Sequence, residues 1–365
     1  MVWPSGPVRR RGADDQAARA LGEEKPMSDP VSWSWPFRLP VVQAPMAGGA
    51  STPQLAAAVS EAGGLGFLAA GYKTAEQMRQ EIERTRELTS RPFGVNVFMP
   101  TADDVDQAEI DAYAKVIEGE ARRLSVTLGV PRGGDDDFPA KVADLLADPP
   151  SVVSFTFGCP EDELIRAFRD RGTTVMVTVT SETEARLASA ADVLCVQGEE
   201  AGGHRGSFTN ADAEAMSLER LLSRVREASR LPLIAAGGVA SAADVSRVLS
   251  AGAVAAAAGT AFLLCPESGT SEVHRAALTD PRFTRTAVTR AFTGRPARGL
   301  VNRFMTEYSG RAPAAYPQLH HLTAPLRRAA AAGGDAETLH LWAGTSWNRA
   351  RNTPAASVIA DLSAI

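Results

Sequence analysis

Residues 196–206 read VQGEEAGGHRG and gather the side chains best suited to chemistry. Glu199 and Glu200 look at first like a paired acid and base. Neighbouring residues leaving a strand point apart, however, so the two carboxylates are read as structural. Gly202 and Gly203 let the backbone take positive φ and approach a ligand closely. His204 follows, with an imidazole whose ordinary pKa of about 6.5 suits hydrogen bonding and proton transfer near neutrality. An isolated Gly-Gly-His is more often a polar turn with an exposed histidine, so the surrounding elements must decide.

The stretch follows the apolar run Asp192–Val196, a short buried strand. Other continuous apolar runs are expected as strands at 39–46, 65–69, 93–98, 152–157, 174–179, 231–236 and 253–258, with the sixth strand at 193–196. Helical segments separate nearly all of them. Examples are 52–62 (Ser51 or Thr52 as N-cap, Pro53 at the first helical position), 74–89, 103–128, 161–171 and 241–251. An acidic, glycine-rich linker is expected at 133–137. Apolar strands alternating with helices mean a parallel sheet covered by helices. Eight such units fit a (β/α)8 TIM barrel, with a doubly wound open sheet as the runner-up. From Gly269 to about Arg351 the pattern is expected to be helical with no clear strands, lying over the barrel mouth. The expected organisation is a flexible leader at 1–37, a cofactor-binding barrel at 38–268, and a mainly helical substrate-side segment at 269–365.

The strand ends share one rim. The first carries Ala44, Pro45, Met46 and Ala47 before Gly48-Gly49, the third Asn96, the sixth Gln197, the seventh Gly237-Gly238, and the eighth Ala258, Gly259 and Thr260. Glycines after the seventh strand and a Gly-Thr opening a helix after the eighth supply backbone N–H donors for a phosphate. There is no Walker signature and no GxGxxG after the first strand. Flavin mononucleotide (FMN) fits best, with Asn96 and Gln197 placed for ring amides. For Asn96 alone, a satisfied buried amide is an equal reading.

Bulk properties narrow the rest. A net charge of −5 over 365 residues gives no basic face for nucleic acid. No apolar run reaches the roughly 20 residues of a membrane span. Cys159, Cys195 and Cys265 are odd in number and far apart, which suits buried thiols in the cytoplasm better than disulfides. The N-terminal residues lack an apolar segment and read as a leader, not a secretory signal, with Met27 as an alternative start. His274, His320, His321 and His340 lack metal-ligand spacing, so no metal is expected. Arg205, Arg295 and Arg298 are expected to pair with Glu199, Glu200 or other carboxylates.

The segments QAPMAGG at 43–49, GVNVF at 94–98, VQGEEAGGHRG at 196–206, AAGGVASAADV at 235–245, AGTAFLLCPES at 258–268 and TRAFTGRPARGLVN at 289–302 occur in order. Together they resemble class I nitronate monooxygenases over residues 39–343. The resemblance implies non-covalent FMN and oxidation of an alkyl nitronate, of the propionate 3-nitronate type, by dioxygen to a carbonyl compound plus nitrite or nitrate. It implies flavin contacts from Ala44, Pro45, Met46, Ala47, Asn96, Gln197, Gly202, Gly203, Gly237, Gly238, Ala258, Gly259 and Thr260. It makes His204 the catalytic histidine and places Tyr316 and His320 in the substrate pocket. The chain departs from the family pattern at Ala257, at His320 (a Tyr in some relatives) and at Thr345 (commonly Gln). The rivals are an FMN-dependent reductase using NAD(P)H on enoyl thioesters or quinones, and a flavin-binding protein without turnover. A homodimer is an open possibility for the assembly.

Overall fold

In the computed structural model, residues 37–101, 105–211 and 215–365 are described. The leader expected at 1–37 lies, except for Phe37, outside them.

The apolar runs become the staves of a barrel: β1 (Val41–Gln43), β2 (Phe67–Ala69), β3 (Gly94–Phe98), β4 (Val152–Thr156), β5 (Thr174–Val179) and β6 (Val193–Gln197). After a two-residue strand, β7 (Gly203–His204), come β8 (Leu233–Ala236) and β9 (Ala255–Ala258). The eight long-range partners run in the order β1-β9-β8-β6-β5-β4-β3-β2, all parallel. Closure is what excludes the open doubly wound sheet. Val42 bridges Leu65 in parallel, with Gln43 N–H on the Leu65 carbonyl at 2.9 Å and Leu65 N–H on the Val41 carbonyl at 3.0 Å.

The helices form where caps and apolar faces agree. Of the two candidate caps for helix Pro53–Glu61, Thr52 accepts the Leu55 N–H at 3.0 Å. Ser51 does something else: its hydroxyl accepts the Met46 N–H at 2.9 Å and pins the loop after β1. Helix Ala75–Leu88 opens with a complete capping box from Thr74 and Gln77. Two clusters of buried apolar side chains fill the helix–sheet interfaces.

Three expectations are corrected. The helix expected at 103–128 is Gln107–Arg123, and a second helix, Phe138–Ala147, follows the acidic linker. The span 269–351 is not free of strands: β10 (Thr286–Thr289) and β11 (Ala297–Leu300) pair antiparallel, and β11 pairs antiparallel with β7. These strands are two to four residues long and partly polar; β10 and β11 form a local hairpin, but β11 is tied to β7 about 90 residues away, and so short a polar set leaves little local periodicity. The turn after β9 is a single 3₁₀ turn, Thr260–Phe262, and not the start of an α-helix. Helix Ala355–Leu362 packs Ala355, Val358, Ile359 and Leu362 into the barrel cluster with Leu55, Val59, Val245 and Val248. The C-terminus therefore supplies the barrel with a helix after a long excursion over its mouth.

Candidate active site

The rim places the sequence-expected residues on one side of the barrel. Ala44 N–H binds the Ala258 carbonyl at 2.9 Å, joining the ends of β1 and β9. Asn96 donates from Nδ2 to the Ser154 hydroxyl at 2.9 Å, the Ser154 carbonyl at 3.2 Å and the Thr156 hydroxyl at 3.0 Å. Its amide N–H groups are thus turned to β4. Gln197 closes the opening stretch on itself. Its Nε2 donates to the His204 carbonyl at 3.0 Å, and its Oε1 accepts the Gly206 N–H at 2.7 Å. That clamp, with Ala297 opposite His204 and Arg298 opposite Gly203 in the β7–β11 ladder, holds the histidine at a fixed place.

His204 Nε2 lies 2.9 Å from Thr293 Oγ1. Around its ring stand Trp342, Tyr316, Phe157 and Tyr72, with centroids 5.6, 5.9, 6.0 and 6.4 Å away. Burial, reinforced by the nearby Arg295 and Arg327 charges, pushes the imidazole pKa down to about 3. The ring is therefore neutral at ordinary pH. Thr293 has one hydroxyl proton and two acceptors, His204 Nε2 and, at 3.3 Å, the Arg295 carbonyl. Given to Arg295, that proton leaves Nε2–H on His204 and a lone pair on Nδ1. Given to Nε2, it leaves Nδ1–H as a donor. The free histidine pKa is depressed, so protonation of His204 is lost above about pH 3 in the folded protein. We expect kcat/KM to show no histidine step between about pH 5 and 8, where an unperturbed imidazole would titrate. A rate profile with a break near 6.5 assigned to His204 contradicts this.

The glycines divide into two groups. Gly237 and Gly238 take φ of 124° and 70° and border a groove of about 480 Å³, together with Ser217, Thr345 and Ser346. Gly203, at φ 75°, has open space where a Cβ would be. A Cβ on Gly202, by contrast, would lie 2.5 Å from the Gly344 nitrogen and 2.6 Å from the Ala343 carbonyl carbon. Gly202 is thus needed first for the close passage of the 343–346 segment. This strap is tied down at three points. Gly344 N–H binds Thr260 Oγ1 at 3.0 Å, Thr345 N–H binds the Glu200 carbonyl at 3.0 Å, and the Ser346 hydroxyl donates to the Gly238 carbonyl at 3.1 Å.

The nitronate monooxygenase family description matches residues 34–364. The chain belongs to the nitronate monooxygenase family. It is 36% identical over 331 residues to a probable nitronate monooxygenase of Staphylococcus aureus strain MSSA476, covering 88% of this chain and 93% of that one. Among solved structures it superposes on a nitroalkane oxidase from Streptomyces ansochromogenes with a TM-score of 0.87 and 54% identity, covering 90% of this chain and 95% of that one. FabK from Thermotoga maritima superposes with a TM-score of 0.68 and 28% identity, covering 89% of this chain and 92% of that one. The family membership makes the protein an oxidoreductase on a TIM barrel.

Within this family member, Tyr316 and His320 both meet Tyr72. Tyr316 lies beside His204, and its hydroxyl donates to the Tyr72 hydroxyl at 3.2 Å. His320 stacks on Tyr72 with centroids 3.9 Å apart and an interplanar angle of 4°. Tyr72 itself was missed by sequence reasoning, as were Thr293, Phe157 and Trp342. Thr293 and Trp342 fall inside or beside segments that carry the family resemblance, so a signal existed. Tyr72 and Phe157 had none, because their positive φ values, 67° and 77°, are visible only in the backbone. Asp136 Oδ1 accepts the Tyr72 N–H at 2.9 Å and fixes that conformation.

The charged residues of the motifs behave as supports, though differently from expectation. Glu200 accepts the Leu218 N–H through both carboxylate oxygens, at 3.2 and 3.0 Å. Arg298 meets Glu199 at its backbone carbonyl, 2.7 Å away, and not at its carboxylate. The Arg295 guanidinium donates to the Ser207 carbonyl and lies 4.0 Å over the Phe157 ring. Cys195 is a half-buried thiol whose pKa is pushed up to about 12 by its desolvated surroundings, which removes it as a nucleophile.

Proposed function

We propose that the protein oxidises small alkyl nitronates with dioxygen, giving a carbonyl compound plus nitrite or nitrate, with FMN held at the barrel rim. One observation carries the reading: a neutral histidine, oriented through Thr293, stands in an aromatic box beside a glycine-rich rim. The residues present suit a flavin. Gly237, Gly238 and Gly203 leave the room that a side chain would fill, and Ser217, Thr345 and Ser346 give the groove polar hydroxyls. Ala44 to Ala47, Asn96, Gln197, Ala258, Gly259 and Thr260 complete the proposed contacts, Gly202 acting through the strap it admits. FMN, when bound, supplies the electron-accepting chemistry that no side chain offers.

The chain's own part is binding, orientation and exclusion of water. His204 as the Nδ1–H tautomer donates a hydrogen bond to a nitro oxygen of a nitronate, which arrives already deprotonated. As the Nε2–H tautomer it presents a lone pair able to take the α-proton of a neutral nitroalkane. Phe157, Tyr316, Trp342 and Tyr72 wall the box with apolar faces, which strengthens each hydrogen bond made inside it.

The test is the visible spectrum of the purified protein, followed by oxygen uptake with propionate 3-nitronate. A flavin spectrum with nitronate-dependent uptake supports the proposal. Flavin bleached anaerobically by NAD(P)H, with no uptake on nitronates, supports the reductase reading. Yellow protein inert to both supports a flavin-binding protein without turnover.

A further inference from the structure

Helix Gln318–Ala332 buries an arginine on the face that meets the site. Arg327 is 8% exposed, and His320, Thr323 and Arg327 fall on one side at spacings of three and four residues. The Arg327 guanidinium donates from Nε to the Thr323 hydroxyl at 3.2 Å, and from Nη2 to the His320 carbonyl at 2.7 Å and to His320 Nδ1 at 3.3 Å. None of these partners is charged. Among the described residues no carboxylate forms an ion pair with it. A buried cation without a counter-ion is costly, and an anion placed beside it would offset that cost. Burial lowers the Arg327 pKa to about 10, so the group stays charged at neutral pH.

The contact with His320 fixes a tautomer. Arginine has only donors, so His320 Nδ1 accepts and the proton sits on Nε2, at the opposite edge of the ring. That ring lies flat against Tyr72, whose hydroxyl joins Tyr316 and whose ring borders His204. His204 is neutral, and the Arg295 guanidinium, which donates to the Ser207 carbonyl, lies 4.0 Å over the Phe157 ring. An anion in the box would thus feel Arg327 through His320 on the Tyr72 side, in addition to Arg295 over Phe157.

We propose that Arg327, acting through His320, contributes to selecting anionic substrates over their neutral conjugate acids in this pocket. The inference rests on the nitronate reading for its substrate but makes a claim about anion binding that stands separately. His320 is the contacting donor and Arg327 the positioning residue that polarises it.

The experiment uses the flavin-loaded enzyme and two variants, Arg327→Gln and Arg327→Lys. Steady-state rates are compared on ethyl nitronate and on nitroethane kept in its neutral form, and nitrate binding is titrated directly by calorimetry. For Arg327→Gln we expect KM for the nitronate and Kd for nitrate to rise together by about 10-fold or more, the usual size of a lost charge-assisted hydrogen bond. KM for neutral nitroethane should move by less than about 3-fold, and Arg327→Lys should recover most of the nitrate affinity because it keeps the charge. Equal losses on both substrates, or an unchanged nitrate Kd, overturn the proposal and leave Arg327 as a helix anchor only. If the wild-type protein does not turn over nitronates at all, the nitrate titration still decides the anion site, so the two readings fail separately.

Discussion

His204→Asn is expected to keep its flavin and to lose about 10²–10⁴-fold in kcat/KM on nitronates, the usual range for removing a positioned acid–base group. The argument is geometric. The His204 backbone belongs to the β7–β11 ladder, and the Gln197 amide grips its carbonyl, so the substitution leaves the main chain where it is. Asparagine can still meet Thr293 but cannot carry a lone pair and a proton on two nitrogens of one ring. It loses the capacity to change between hydrogen-bond donor and base. Measured flavin content, Tm and steady-state kinetics separate loss of chemistry from loss of structure. A variant with wild-type kcat/KM on a nitronate would remove His204 from the mechanism. The loss should be larger for a neutral nitroalkane, whose α-proton needs a base, than for the preformed anion.

The second large effect is expected from Gly202→Ala, which carries no reactive group. Its new methyl would sit 2.5 Å from the Gly344 nitrogen, against backbone that cannot swing aside like a side chain. The strap must lift, which weakens the Gly344 contact to Thr260 and the Ser346 contact to Gly238. Overpacking of this kind costs typically about 1–3 kcal/mol. The cost falls on the segment that borders the glycine rim, so we expect flavin to be lost on gel filtration and Tm to fall by several degrees. Gly203→Ala provides the comparison for stability: no protein atom opposes the methyl there and only the positive φ does, so its Tm should fall less. Full flavin retention in Gly202→Ala would show that the strap does not govern the cofactor site.

These two positions also show how differently the site was written in the sequence. His204 is legible because a strand, a glycine pair and a histidine stand next to one another in the chain. Gly202 is legible as a glycine but not in its purpose, since Ala343 and Gly344 lie more than 140 residues away. Asn96 and Gln197 are legible as amides at strand ends. That they also hold neighbouring loops or strands, through hydrogen bonds that depend on register, no spacing reveals.

By itself, the sequence determined the barrel staves, most helix starts and the order of motifs along the rim. Each is set by local chemistry: runs of apolar residues bounded by turn formers, hydroxyl caps such as Thr52 and Thr74, and glycines at strand ends. Only the tertiary structure decided closure through Val42 and Leu65, the small sheet of β7, β10 and β11, and the return of helix Ala355–Leu362 to the barrel. It alone assembled Tyr72, Phe157, Thr293, Tyr316, His320, Arg327 and Trp342 around His204. The physical reason is local against distant information: an apolar run or a cap is written within a few residues, whereas closure, the joining of β7 to β11 and the aromatic box depend on partners brought from far along the chain.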